Sequence, residues 1–154
     1  MKHSVQFSDA VHLLAYIAIF HDSNRLSSTD IAASIQTNPS NVRKIMRQLR
    51  DADLIETTNG IPKPCLVKDP HDISFFDIYQ SLGHAQLFQI DTNTESKCII
   101  GGNIQDVLSD EYLLLQQVVE EKMKQISLDH VLKKISQAEL AKNPMNQNFV
   151  SEFL

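Results

Sequence analysis

The sequence predicts a mainly α fold with one small β-hairpin and a long helix near the C-terminus. Three observations carry this. Two short amphipathic segments meet at Gln36-Thr37-Asn38, and the second, "NPSNVRKIMRQLR" (residues 38–50), holds four basic residues and no acid. An Asn59-Gly60 pair, a strong hairpin signal, follows between two short apolar runs. From 103 to about 126 a single helical pattern carries an apolar band too broad for a small domain to cover by itself. Helix pair, basic second helix and hairpin, in that order, specify a winged helix-turn-helix. The long helix that follows is read as a dimerisation helix.

Each element can be justified in turn. Phe7, Ala10, Val11, Leu14, Ile17 and Ala18 recur at helical spacing and predict a helix over 7–20, with Ser4 or Ser8 as its cap. A polar turn at 21–24 precedes "SSTDIAASI", where Ser27 or Ser28 caps a short helix with Ile31, Ala32 and Ile35 on one face. Pro39 suits the first turn of the next helix. There Val42, Ile45, Met46 and Leu49 fall at i, i+3, i+4 and i+7 and face inward, so Arg43, Lys44, Arg47 and Arg50 look outward. Leu54 to Thr57 reads as a strand, "TNGIPKP" as a hairpin loop and Cys65 to Lys68 as the return strand. A helix over "DISFFDIYQSL" completes a DNA-binding domain of residues 1–82. Residues 83–102 are expected to form a linker or sensor loop, 103–138 the dimerisation helices, and 139–154 a loose tail. In the long helix, about 36 Å at 1.5 Å per residue, Ile104, Leu108, Leu115, Val119 and Ile126 are the expected dimer contacts. Ser127 caps a further short helix whose face is Leu128, Val131, Leu132 and Ile135.

Charge gives the fold a direction. The chain has a net charge of −5, yet residues 1–68 hold 8 Lys/Arg against 6 Asp/Glu, while 69–154 hold 6 against 13. The basic excess therefore belongs to the half that carries the helix-turn-helix, and double-stranded DNA is the anion such a helix meets. Composition excludes other classes. Four Gly argue against a many-turned β sandwich and a Gly-rich nucleotide loop. The longest apolar run, "VHLLAYIAIF" at 11–20, is too short to span a bilayer and is interrupted by His12 and Tyr16. With no signal-peptide pattern, a cytoplasmic location and no membrane partner are expected.

The start "MKHSVQFSDAVHLLAYIA", the pair "SSTDIAASIQTNPSNVRKIMRQLRDADLIE", the "NG" turn and "LVKDPHDISFFDIYQSL" resemble the Rrf-two family of bacterial winged-helix regulators. "CIIGGNIQDVLSDEY" is similar to its YwnA-type members, which carry no iron–sulfur cluster. The resemblance covers residues 1 to about 136. It implies a dimeric transcription regulator, usually a repressor, on a roughly palindromic operator. The positions matching the family's recognition helix are Ser40, Asn41, Arg43, Lys44 and Arg47, with Lys63 in the wing; Ser28, at the start of the preceding helix, joins these candidates. Two departures stand out. The wing reads "GIPKPC", with Pro62 and Pro64 where relatives have a further glycine pair. The loop before the long helix has Cys98 alone where cluster-binding members have three cysteines, so no cofactor is expected.

Cys98 follows Lys97 and precedes a helix start, two features that lower a thiol's pKa, which makes it the redox candidate. Cys65, in the return strand, reads as structural. The six histidines show no metal-ligand spacing, and no metal site is expected. The acidic pairs Asp110-Glu111 and Glu120-Glu121 read as the solvated face of the long helix. With no nucleophile elbow, P-loop or zinc-protease motif, neither catalytic residues nor enzyme activity are expected. Two functional classes remain: a DNA-binding repressor responding to a small-molecule or oxidant effector, and a regulator acting through protein contact of its acidic C-terminal half.

Overall fold

The computed structural model describes residues 2–154, and side chains from Val5 onward. Helices α1 (Lys2–Ile19), α2 (Ser28–Ile35) and α3 (Pro39–Asp51) are followed by strands β1 (Ile55–Thr58) and β2 (Ile61–Leu66), then α4 (Phe75–Ser81), α5 (Ile104–Lys124), α6 (Leu128–Lys142) and a last turn of helix, α7 (Gln147–Val150).

Local chemistry sets most of the boundaries. Ser27 caps α2 in a capping box with Asp30, and Gln36 closes it in the left-handed region at φ 63°. Asn38 caps α3 by accepting from the Asn41 amide, and Pro39 occupies the first helical position, where its missing N–H costs nothing. Ser74 and Asp77 form a second capping box at α4, and Ser127 caps α6. The apolar faces of these helices converge. Leu13, Leu14 and Ile17 of α1 pack with Ile31 of α2, Val42, Ile45 and Leu49 of α3, and Leu54, Ile55, Ile73 and Ile78, all fully buried or nearly so.

The elements depart from the sequence reading in five places. Helix α1 begins at Lys2, so Ser4 and Ser8 lie within it and do not cap it. Pro62 and Pro64 belong to β2 and not to the hairpin loop, which shrinks to Asn59-Gly60. The pairing Ile55–Leu66 and Glu56–Cys65 is regular, and the register shifts between Glu56 and Thr58. Proline has no N–H for the ladder, so the irregularity falls opposite the two prolines. Cys65, read as structural, is exposed. Helix α6 runs to Lys142, and its Leu128 and Leu132 are buried in the core of the winged helix. It thus completes the first domain's core instead of extending a separate unit over 103–138. Finally, the tail is docked, not loose: Val150 and Phe153 are buried, and the Phe149 ring packs tilted against Phe20, centroids 5.8 Å apart. Phe149, Val150 and Phe153 stand at i, i+1 and i+4 on two consecutive helical turns, Gln147–Val150 and Ser151–Phe153.

The return of α6 is stitched by backbone. The Phe75 amide donates to the Ile126 carbonyl, and the Leu128 amide donates to that of Ile73, each at 2.8 Å. Helix α5, by contrast, has no buried residue. It rests on α4 and the segment 84–88 through side chains. Gln116 Nε2 donates to Tyr79 Oη (2.7 Å), Gln116 Oε1 accepts from the Leu87 amide (3.0 Å), and His84 meets Glu120 at 2.6 Å. Of its remaining apolar residues, Val107, Leu113, Leu114, Leu115 and Val118 are exposed; Ile104, Leu108 and Val119, and Ile126 just past its end, are half-buried.

Candidate nucleic-acid interface

The inward face of α3 (Val42, Ile45, Leu49) is fully buried, and this fixes which side chains leave the surface. Arg43, Lys44, Arg47 and Arg50 are all exposed. They differ in how they are held. Arg43 donates from Nη1 to Ser28 Oγ (3.2 Å) and from Nη2 to Ser40 Oγ (3.3 Å). Arg50 pairs with Asp51 at 3.3 Å. Lys44 and Arg47 make no hydrogen bond or ion pair among the described residues. Between α3 and the hairpin runs a groove lined by Arg43, Met46, Arg47 and Arg50 on one side and Thr57 to Pro62 and Pro64 on the other, with Leu26 and Ser28 at its end. Three guanidiniums along one groove, whose other lining is largely apolar, make a strip of positive potential suited to a polyanion.

Of the sequence candidates, Ser28, Ser40, Arg43 and Arg47 come together here, with Lys44 beside them. Lys63 is exposed in β2 but does not line the groove. Asn41 points another way: its Nδ2 donates to Asp9 Oδ2 (3.3 Å) and Thr37 Oγ1 (3.2 Å), tying α3 to α1. Arg50 and the Thr57–Thr58 pair line the groove although the candidate set omits them. The outward phase of Arg50 was readable from spacing; the approach of the threonines depends on the fold of the hairpin.

A sequence model of the Rrf2 family, described as "Iron-dependent Transcriptional regulator", matches residues 3–134. The chain belongs to the Rrf2 family. It is therefore a DNA-binding transcriptional regulator and not an enzyme. YwnA of Bacillus subtilis (strain 168), whose name describes an HTH-type transcriptional regulator, is 33% identical over 124 residues, covering 80% of this chain and 91% of YwnA. Two solved Rrf2-type structures share the fold. IscR of T. potens aligns with a TM-score of 0.65 at 20% identity, over 91% of this chain and 92% of its own. CymR, the global cysteine regulator of B. subtilis, aligns with a TM-score of 0.59 at 16% identity, over 82% and 91%. No helix among the described residues is long and apolar enough to cross a membrane.

The family's iron does not fit this chain's donors. A cluster needs several thiolates within reach of one another. Here Cys98 stands alone in its loop, Cys65 lies in the wing, and no cluster of three or more His, Cys, Asp or Glu suited to a metal occurs among the described residues. What surrounds Cys98 is backbone. The backbone amides of Gly101 and Ile100 beside it hold the exposed thiol below its usual range.

Proposed function

We propose that this Rrf2 regulator is a homodimeric repressor that lays the outer face of α3 in the major groove of a roughly palindromic operator, with the hairpin alongside. The observation that carries this reading is the Arg43–Arg47–Arg50 groove between α3 and the hairpin, in a chain of net charge −5. Ser40, Lys44 and Arg47 flank Arg43 on the same surface. Asn41 serves α1 instead of DNA, its amide being taken by Asp9 and Thr37.

The homodimer reading rests on α5. Val107, Leu114, Leu115 and Val118, all exposed and at helical spacing, leave an apolar strip along one side of α5 in water, and such strips mark association surfaces. A twofold pairing of α5 with its copy covers it, with Ile104, Leu108, Val119 and Ile126 at the margins. The pairing also sets two copies of α3 to read half-sites about 34 Å apart. Footprinting of the purified protein on genomic fragments, followed by binding titrations against salt, tests the reading. Expected are protected palindromes and a steep fall of affinity with salt. Protection without sequence preference would overturn it.

The lowered Cys98 thiol supports a response to oxidation. Its thiolate attacks a peroxide oxygen and becomes the sulfenic acid, while the second oxygen leaves as hydroxide and takes a proton to give water. Affinity for the operator should change with peroxide, return with a thiol reductant, and ignore both in Cys98→Ser. A variant that responds like the unmodified protein would end this reading of Cys98.

A further inference from the structure

Resting on the reading of α3 as the DNA-contacting helix, we propose that Arg43 is its specificity-determining residue, taking a guanine through O6 and N7. Ser28 and Ser40 are the positioning residues that aim it. Arg43 is held by hydroxyls from two different helices: Ser28 is the first residue of α2 and Ser40 the second of α3. Its side chain therefore bridges the junction of the helix-turn-helix, at the N-terminal end of α3, the end that meets base edges when such a helix enters the major groove.

The two serines do more than occupy space. An arginine that reads a base must give up rotamer freedom, and one already fixed by two hydrogen bonds has given up much of it before DNA arrives. Of the guanidinium's five N–H donors, two are used, and the remaining three suffice for the two-pronged contact that only guanine accepts in the major groove. The holding groups are neutral. A carboxylate in either place would aim the guanidinium equally well but cancel the charge that DNA requires. The nearby acids are engaged elsewhere, Asp30 with Ser27 and Asp9 with Asn41. Lys44 and Arg47, without such fixation, suit phosphates, which accept charge from many directions. Arg50 already shares its charge with Asp51.

The test uses the full-length protein and the operator found by footprinting, together with duplexes changed one base pair at a time, at several salt concentrations. Arg43→Lys keeps the charge and loses the fork. It should leave the salt dependence unchanged while discrimination at one G·C pair per half-site falls about 5- to 150-fold, the range for a bidentate pair. Ser28→Ala should weaken discrimination at that same pair, and Ser28→Thr, which keeps the hydroxyl, should restore it. Ser27 and not Ser28 caps α2, so the helix start is untouched, and a circular-dichroism melt confirms folding. Arg43→Lys that discriminates like the unmodified protein, or weakens every duplex evenly, overturns the assignment while leaving α3 on the DNA. So does an operator with no guanine at a fixed place in each half-site. If alanine at Arg43, Lys44 and Arg47 together leaves affinity unchanged, the reading of α3 itself has failed, and with it the assignment.

Discussion

At the scale of single residues, the loop before α5 shows how backbone amides can tune a side chain. A Cβ at Gly101 would run into the carbonyl oxygen of Glu95, and one at Gly102 would lie 2.6 Å from that of Ser96. The loop closes only because both positions lack a side chain, and closing it aims the Gly101 and Ile100 amides at the Cys98 sulfur. Of the two causes the sequence offered, the Lys97 cation and the coming helix start, it is backbone just ahead of α5 that lowers the thiol, and not the lysine. A thiol whose folded pKa is lowered reacts at lower pH. The rate of Cys98 alkylation should therefore rise at a lower pH in the native Cys65→Ser protein than in the same protein unfolded in denaturant. Gly101→Ala, which forces the loop open, should move the native profile back toward the unfolded one. Coincident native and unfolded profiles would show that the amides do not reach the sulfur.

At the scale of elements, what the sequence made legible was local. Capping residues and the i, i+3, i+4, i+7 pattern of α3 located the helix-turn-helix and the outward arginines, because both signals lie within a few residues of what they determine. The inward use of Asn41 was not legible, since its partner Asp9 lies 32 positions away. Nor was the docking of the tail, whose few apolar residues sit on one or two helical turns and whose partner Phe20 is more than a hundred positions away. Its energetics can be checked. Phe153 is only 8% exposed, and its turn packs against α6. Phe153→Ala should cost about 3 kcal/mol, the lower end of the range for a buried phenylalanine, read from urea unfolding with unchanged slope. A loss within error of zero would mean the tail leaves the core in solution. The contact of α5 with the segment 84–88 has a different sensitivity. Hydrogen bonds from His84 and then Gln116 hold the Glu120 carboxyl below its usual range. A carboxyl with a lowered folded pKa contributes stability above its unfolded value, about 4.3, and loses it as pH falls through the lower folded value. Amide exchange at Leu87, whose N–H is held by Gln116, should therefore quicken in that acidic window and, in Glu120→Gln, already be quicker at neutral pH. Equal exchange in the two proteins would remove Glu120 from the contact.

At the scale of the whole molecule, the uneven charge and the bare face of α5 bear on one question, how tightly an acidic protein can hold a polyanion. One winged helix offers few cations, and the acidic residues of the second half repel DNA at long range. The proposed pairing of two copies would double the phosphate contacts on one ligand. The salt dependence then reports association directly. Each phosphate contact contributes about 0.9 to the slope of log affinity against log salt, so a dimer on a full operator should show about twice the slope of a monomer on one half-site. Leu115→Glu is the variant that separates them. Leu115 is 47% exposed in the single chain, so a carboxylate there meets water and leaves the fold intact. In a paired α5 it would be an unpaired charge in an apolar contact, which is costly. Sedimentation should show the unmodified protein as a dimer at micromolar concentration and the variant as a monomer with the same melting behaviour, and the variant's slope on the same operator should fall by about half. A monomeric unmodified protein would remove the dimer and the palindrome together. A variant that stays dimeric would move the interface off α5 to another surface of the molecule.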